Sequence, residues 1–208
     1  MVDIALEAFV RGGAVGVKGP LNLNGNRDLL VAQGLPPYVE ITRQGQGWSA
    51  MSTAAIAALV VRPTTVANAT LWNNHADGGK SLVIDRAFAH NLVGVANSGF
   101  GIWLCVHKRG MVAPTNDITV RNGNTGKPSG SLTYFDNGAT VVDDGWFPWG
   151  NSIRTVTVTV PGGQVEVEVA GRLIVPPQQA ISLQVVADTT AATFTAGFMW
   201  YEVQLAIE

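Results

Sequence analysis

The segment VVDDGWFPWG, residues 141–150, combines two adjacent carboxylates with aromatic side chains. Asp143 and Asp144 could act as metal ligands or acids, and Trp146 and Trp149 could stack on a sugar ring. A glycosidase needs two carboxylates about 5–10 Å apart across a cleft. Since adjacent residues of an extended chain point to opposite faces, Asp143 and Asp144 are poorly suited to be that pair.

Calcium is a second possibility for the same region. Asp136, Asn137, Asp143 and Asp144 fall within nine residues, and Ca²⁺ takes oxygen ligands from loops of this type. No EF-hand spacing is present, and paired Asp residues before Gly are also common in turns. We therefore expect no cofactor and keep Asp136, Asp143 and Asp144 only as weak metal candidates.

Nucleophilic and zinc chemistry have little support in the sequence. His75, His90 and His107 have no partner at the spacing of a zinc site. No Gly-x-Ser-x-Gly motif is present, although spacing alone leaves a Ser-His-Asp set open because triads are assembled in space. Cys105, the single cysteine, lies in an apolar run and is expected to be buried and inert. We predict that the protein is not an enzyme.

Composition narrows the function classes further. Of the 208 residues, 13% are charged, about half the usual share, which is common where other subunits cover the surface. The basic residues are scattered and the net charge is −2, so direct nucleic-acid binding is not expected. The start MVDIALEAFVRGG lacks the basic residues of a secretory signal, and no apolar run is long enough to cross a membrane.

The elements that would position these residues are mostly strands. Residues 1–52 are rich in Gly, Asn and Pro and predict an extended arm, with one or two short strands, at YVEIT and at DLLVAQ. MSTAAIAAL predicts one helical turn at most. Residues 53–208 predict an antiparallel β-sandwich of eight or nine strands. In SLVIDRAFAHNLV, period two places Leu82, Ile84, Phe88 and Leu92 on one face. SIRTVTVTVPGGQVEVEVAG predicts a hairpin with valines on its dry face.

Two groups of aromatic residues are candidates for contacts between subunits. The final strand is apolar on both faces around Phe198, Trp200 and Tyr201, which suggests a subunit interface. Trp146, Phe147 and Trp149 predict either a plug at the end of the sandwich together with a covered interface, or a glycan platform. We favour plug or interface, because large exposed apolar patches are rare without a partner and Trp is enriched at interface hot spots.

The strand order resembles the jelly-roll subunits of viral particles and the tumour-necrosis-factor and C1q-like trimers. The phrases GLPPYVEITRQG and VVRPTTVANATLWNNHADGGKSLVIDRAFAH resemble virion proteins of tailed bacteriophages. This resemblance implies a capsid decoration or cement subunit, made in the host cytoplasm and located in the virion. Its expected partners are a major capsid protein or other virion subunits, together with two further copies of itself, as a homotrimer. The arm would contact the shell or a neighbour through Leu21, Leu23, Pro36, Pro37 and Tyr38. The alternative is a carbohydrate- or receptor-binding module that uses Trp146 and Trp149.

Overall fold

The computed structural model describes residues 38–126, 130–154 and 163–205, in which strands predominate. The described elements are a short helix α1 (Val39–Arg43) and the strands β1 (Gly47–Met51), β2 (Ile56–Ala57), β3 (Ala69–Asn73), β4 (Ser81–Val93), β5 (Gly99–His107), β6 (Arg121–Asn122), β7 (Thr133–Asn137), β8 (Phe147–Arg154), β9 (Gln164–Glu168), β10 (Ile174–Val175), β11 (Ala180–Ala187) and β12 (Thr193–Val203). Chain contacts separate Met1–Val39 from Glu40–Glu208, and the fold below is that of the second unit. Within the described residues, no helix has the length and apolar character needed to span a membrane.

The strands form two antiparallel sheets. The seven-stranded sheet has the order β10-β4-β12-β1-β6, with β2 paired to β12 and β9 paired to β4, and the five-stranded sheet has the order β7-β3-β11-β5-β8. Nine strands have at least five residues. Eight strands remain when β7 and the three two-residue strands are set aside. Numbered 1 to 8 in chain order, they are β1, β3, β4, β5, β8, β9, β11 and β12, and they lie in the order 1-8-3-6 in one sheet and 2-7-4-5 in the other. This connectivity is that of a jelly-roll, which confirms the predicted sandwich.

The main core lies between the sheets and is built by strand alternation, since every second side chain of a strand points to the same face. The five-stranded sheet contributes Leu71, Ile102, Leu104, Ile181 and Leu183, and the seven-stranded sheet contributes Trp48, Ile84, Phe194, Phe198 and Trp200. On β9 the predicted alternation is confirmed, because Val165 and Val167 are buried while Glu166 and Glu168 are exposed. The other strand of the predicted hairpin, residues 155–160, lies outside the described residues.

The predicted shared face of β4 is wrong for two of its four residues. Leu82 and Ile84 point into the core as expected. The pairing with β12 then skips Asp85, since Trp200 pairs with Ile84 and Met199 with Arg86. This bulge reverses the alternation, so Phe88 and Leu92 lie on the outer face and Ala87 and Ala89 are buried instead.

The region before the sandwich also differs from the sequence-based expectation. YVEIT contains α1 rather than a strand, and the helix ends in a Schellman motif, with Gln46 N–H bonded to the Ile41 carbonyl and Gly45 at φ 73°. A run of five residues with three β-branched side chains is ambiguous between helix and strand. MSTAAIAAL forms no helix but contains the end of β1 and all of β2. Because β1 is part of a sheet, the sandwich begins before residue 53; residues 1–37 of the predicted arm lie outside the described residues.

Candidate functional site

Residues 139–146 cover the outer face of the five-stranded sheet. Their apolar side chains form a second buried cluster with residues of that sheet and of the adjoining loops: Ala67, Trp72, Cys105, Met111, Ala139, Val141, Trp146 and Ala180. The indole Nε1 of Trp146 donates to the Thr64 carbonyl at 2.8 Å, and the Val141 N–H donates to the Thr65 carbonyl at 2.9 Å. We refer to residues 139–146 as the covering segment.

The two adjacent carboxylates of the covering segment attach it at different points. Arg62 donates two hydrogen bonds to Asp143, at 2.7 and 2.9 Å, and these bonds hold the pKa of the Asp143 carboxyl below its usual value. Asp144 instead accepts from the Lys108 N–H at 3.1 Å and lies 3.5 Å from His107 Nδ1. The carboxylates therefore serve as two separate attachment points.

Trp146 and Trp149 do not form one platform. Trp146 is 4% exposed and belongs to the second cluster. Phe147 and Trp149 lie on β8 and pack against the main core, with their ring centroids 5.7 Å apart. A sugar could therefore not stack on both tryptophans at once. The prediction that a neighbouring subunit covers this region stays a prediction.

A Ser-His-Asp line is present, a kind of set that residue spacing alone leaves open. Ser182 Oγ lies 2.8 Å from His107 Nε2, and His107 Nδ1 lies 3.5 Å from an Asp144 oxygen. Ser182 and His107 are fully buried, and Thr70 Oγ1 lies 2.9 Å from the Ser182 hydroxyl. Since Ser182 presents no surface, a substrate carbonyl has no access to its hydroxyl.

The same line is better described as a buried hydrogen-bond network that ties the covering segment to the sheet. Burial lowers the pKa of His107, against the opposing effect of Asp144, and the ring packs edge-on against Trp146. Fully paired buried polar groups of this kind rigidify and specify a core. The sequence signal for this network is the position of His107. It is a polar residue at the end of β5, on the same side of the strand as Trp103 and Cys105.

Cys105 lies beside this network and is expected to be unreactive in the folded protein. Burial raises the pKa of its thiol to about 11, so very little of the reactive thiolate forms near neutral pH. We expect Ellman's reagent to leave the native protein unmodified and to modify one thiol per chain after unfolding in guanidinium. Rapid reaction of the native protein would contradict the burial of this strand beneath the covering segment.

The weak metal candidates are not brought together. Asp136 is 6% exposed and accepts a hydrogen bond from Thr115 Oγ1 at 3.0 Å, and burial raises the pKa of its carboxyl. Asp143 and Asp144 have the other partners given above. Across the described ranges, no group of three His, Cys, Asp or Glu side chains could hold a metal ion.

The residues predicted to contact a neighbour are placed as follows. Phe198 and Trp200 are 0% and 1% exposed in the main core, so they have no surface to present to another subunit; an apolar run could not show which face each side chain takes. Tyr201 is half-buried on the outer face, and Tyr38 is 49% exposed. The other arm residues, Leu21, Leu23, Pro36 and Pro37, lie outside the described residues.

The outer face of the seven-stranded sheet has an exposed apolar centre. Met51, Gly197 and Phe88 lie side by side on three neighbouring strands, and Met199 lies two residues further along β12. Met51 is 46% exposed and Met199 is 41% exposed. Exposed large apolar groups that adjoin one another commonly mark interaction surfaces. We refer to Met51, Phe88, Gly197, Met199 and Tyr201 as the apolar face.

A groove of about 580 Å³ opens beside the outer face of the five-stranded sheet, and its lining includes Trp103, Gly101, Pro148 and Asp188. One oxygen of Asp188 accepts the Gly99 N–H at 2.8 Å. Trp103 is partly exposed, and its position inside an apolar strand gives no sequence signal of that exposure. An aromatic wall beside a carboxylate is a feature shared with ligand pockets.

Comparisons with known proteins do not place the chain in a family. No protein-family model and no curated protein matches it. A solved structure described as that of a marine algae virus of the order Picornavirales matches with 10% sequence identity and a TM-score of 0.25, over 98% of this chain and 87% of that chain. A likeness at this TM-score carries no argument about fold or role, so the jelly-roll assignment rests on the strand connectivity alone.

Proposed function

We propose that the protein is a structural subunit of a virus particle, acting as a decoration or cement protein on a bacteriophage head. The observation that carries this proposal is the apolar face, which leaves Met51 and Met199 exposed in a chain with few charges. Jelly-rolls occur in viral capsid domains and in lectins, and a fold by itself does not determine function. The phage assignment is supported by the sequence resemblance described above.

The proposed work of the subunit is association rather than a reaction. Burying apolar surface between subunits releases water and is favourable roughly in proportion to the area buried. Several weak contacts made by one oligomer to a shell combine into a strong attachment. The expectation of a major capsid protein and of further copies of this chain as partners belongs to this proposal.

A carbohydrate-binding module is the second candidate, and the Trp103 groove is the observation that favours it. The Trp103 indole could stack on a sugar ring, and the Asp188 carboxylate could accept hydrogen bonds from the hydroxyl groups of that ring. In this candidate, Trp103 takes the sugar-stacking role that the sequence suggested for Trp146, because Trp146 is buried. It predicts that Trp103→Ala abolishes glycan binding while self-association is kept.

The two functions are separated by testing the protein in particles. Banded particles from infected cells should contain the protein in a fixed ratio to the major shell subunit, as measured by mass spectrometry, and immunogold should label their heads. A variant without residues 1–37 retains every strand that the structure describes and should fold but no longer join particles. Absence of the protein from purified particles, together with glycan binding that Trp103→Ala removes, would establish the alternative instead.

A further inference from the structure

The apolar face lies at the centre of a row of side chains that has opposite charges at its two ends. Pairing register places Arg121, Ser49, Met199, Arg86 and Glu168 side by side on β6, β1, β12, β4 and β9. Met199 is the middle position of the row. Four strand spacings separate Arg121 from Glu168, which is a distance of about 19 Å.

Among the described residues, the charged residue inside the row has ion-pair partners, whereas the charged residues at its two ends have none. Arg86 forms an ion pair with Glu166 and lies 3.6 Å from an Asp85 oxygen. Arg121 and Glu168 are exposed, and neither takes part in an ion pair within the ranges that the structure describes. The face therefore has an exposed basic edge at Arg121 and an exposed acidic edge at Glu168.

We propose that the partner of the apolar face is a second copy of this chain, related by a two-fold axis that passes over Met199 along the direction of β12. Rotation about such an axis exchanges the two ends of the row. Arg121 of each copy then lies over Glu168 of the other, Ser49 lies over Arg86, and the two Met199 side chains meet. A two-fold axis across the strands would instead place like charges together.

The spacing of packed sheets agrees with this arrangement. Two sheets pack face to face about 10 Å apart, and long Arg and Glu side chains reaching from both sides span that gap. The outcome is an interface with an apolar centre and a charged rim, the usual anatomy of a specific protein contact. Because the two-fold uses the same face of both copies, the contact is isologous.

This inference names the partner of the surface on which the proposed function rests. It replaces Phe198 and Trp200 with Met51, Phe88 and Met199 as interface residues, since the first two are buried in their own subunit. It also predicts pairs of subunits at this face rather than the trimer expected from the resemblance.

The arrangement is tested by exchanging the charges at the two ends of the row. Arg121→Glu places two like-charged pairs in the dimer, and so does Glu168→Arg. We expect each variant alone to dissociate with a Kd at least about tenfold higher than that of the unmodified protein. An equimolar mixture should form one-to-one heterodimers, because both cross-pairs are then of opposite charge. Native mass spectrometry of one tagged and one untagged variant measures the composition directly.

Two further variants check that the apolar centre matters and that folding is intact. Met199→Glu should abolish dimers in every mixture, whereas Val112→Glu, at a residue that is 85% exposed, should leave the mass unchanged. Circular dichroism monitors folding, and the charge-exchange pair remains informative if Met199→Glu fails to fold. A monomeric or trimeric full-length protein at tens of micromolar, or a mixture that does not recover dimers, would overturn the proposal. Dimers that never enter particles would instead overturn the proposed function.

Discussion

Replacing Trp200 with alanine is expected to lower the free energy of unfolding by about 3–5 kcal/mol. Trp200 is 1% exposed between the two sheets, and removal of its ring leaves a cavity that the neighbouring strands can fill only in part. The free energy is measured from denaturant unfolding at a protein concentration low enough for single subunits. A loss of this size is a large share of the total stability of an ordinary domain.

The neighbouring residue Met199 provides the matched control for Trp200. Met199 points to the opposite side of β12 and is 41% exposed. Met199→Ala should therefore change the free energy of unfolding of the single subunit by no more than about 0.5 kcal/mol. Similar losses for the two variants, or a larger loss for Met199, would show that the alternation of β12 has been assigned to the wrong faces.

Replacing Gly197 with alanine is expected to cost about 3 kcal/mol. A Cβ at this position would overlap the Ala50 carbonyl oxygen of the paired strand and the ring of Phe88. The ring could rotate away, but the carbonyl belongs to β1, and moving it weakens the pairing between β1 and β12. The loss is measured as a shift of the denaturant midpoint without a change in slope.

Gly130 serves as the control for this substitution. A Cβ added there meets no heavy atom within 4 Å, so Gly130→Ala should leave the midpoint nearly unchanged. A tolerated Gly197→Ala would mean that β1 and β12 are further apart than the structure places them.

The fold could largely be predicted from the sequence because strand alternation is a local pattern. Val165 and Val167 alternate with glutamates, and the valines are buried, so the pattern identified both the strand and its face. The Asp85 bulge could not be predicted, because one extra residue leaves local composition unchanged while reversing every later side chain. Period two therefore predicts the wrong face for Phe88.

The candidate site was harder to predict than the fold. Phe198 and Trp200 lie in a strand with apolar residues on both faces, so the sequence gives no indication of which face meets the other sheet. The Ser182–His107–Asp144 line joins residues from β11, β5 and the covering segment, and only the three-dimensional structure shows that they meet and that the serine is buried. The burial of the Ser182 hydroxyl therefore says more about function than the residue types of the Ser-His-Asp line do.

The covering segment also limits how large an assembly can grow by sheet stacking. A sandwich with two bare outer faces could stack at both, and such contacts propagate into open polymers unless a rotation closes them. Here Val141 and Trp146 cover part of the outer face of the five-stranded sheet, so among the described residues the apolar face of the other sheet is the surface suited to stacking. Two copies that meet through the apolar face bury it in both, so stacking ends with the pair. Any contact with a shell must then use the edges and loops of the sandwich.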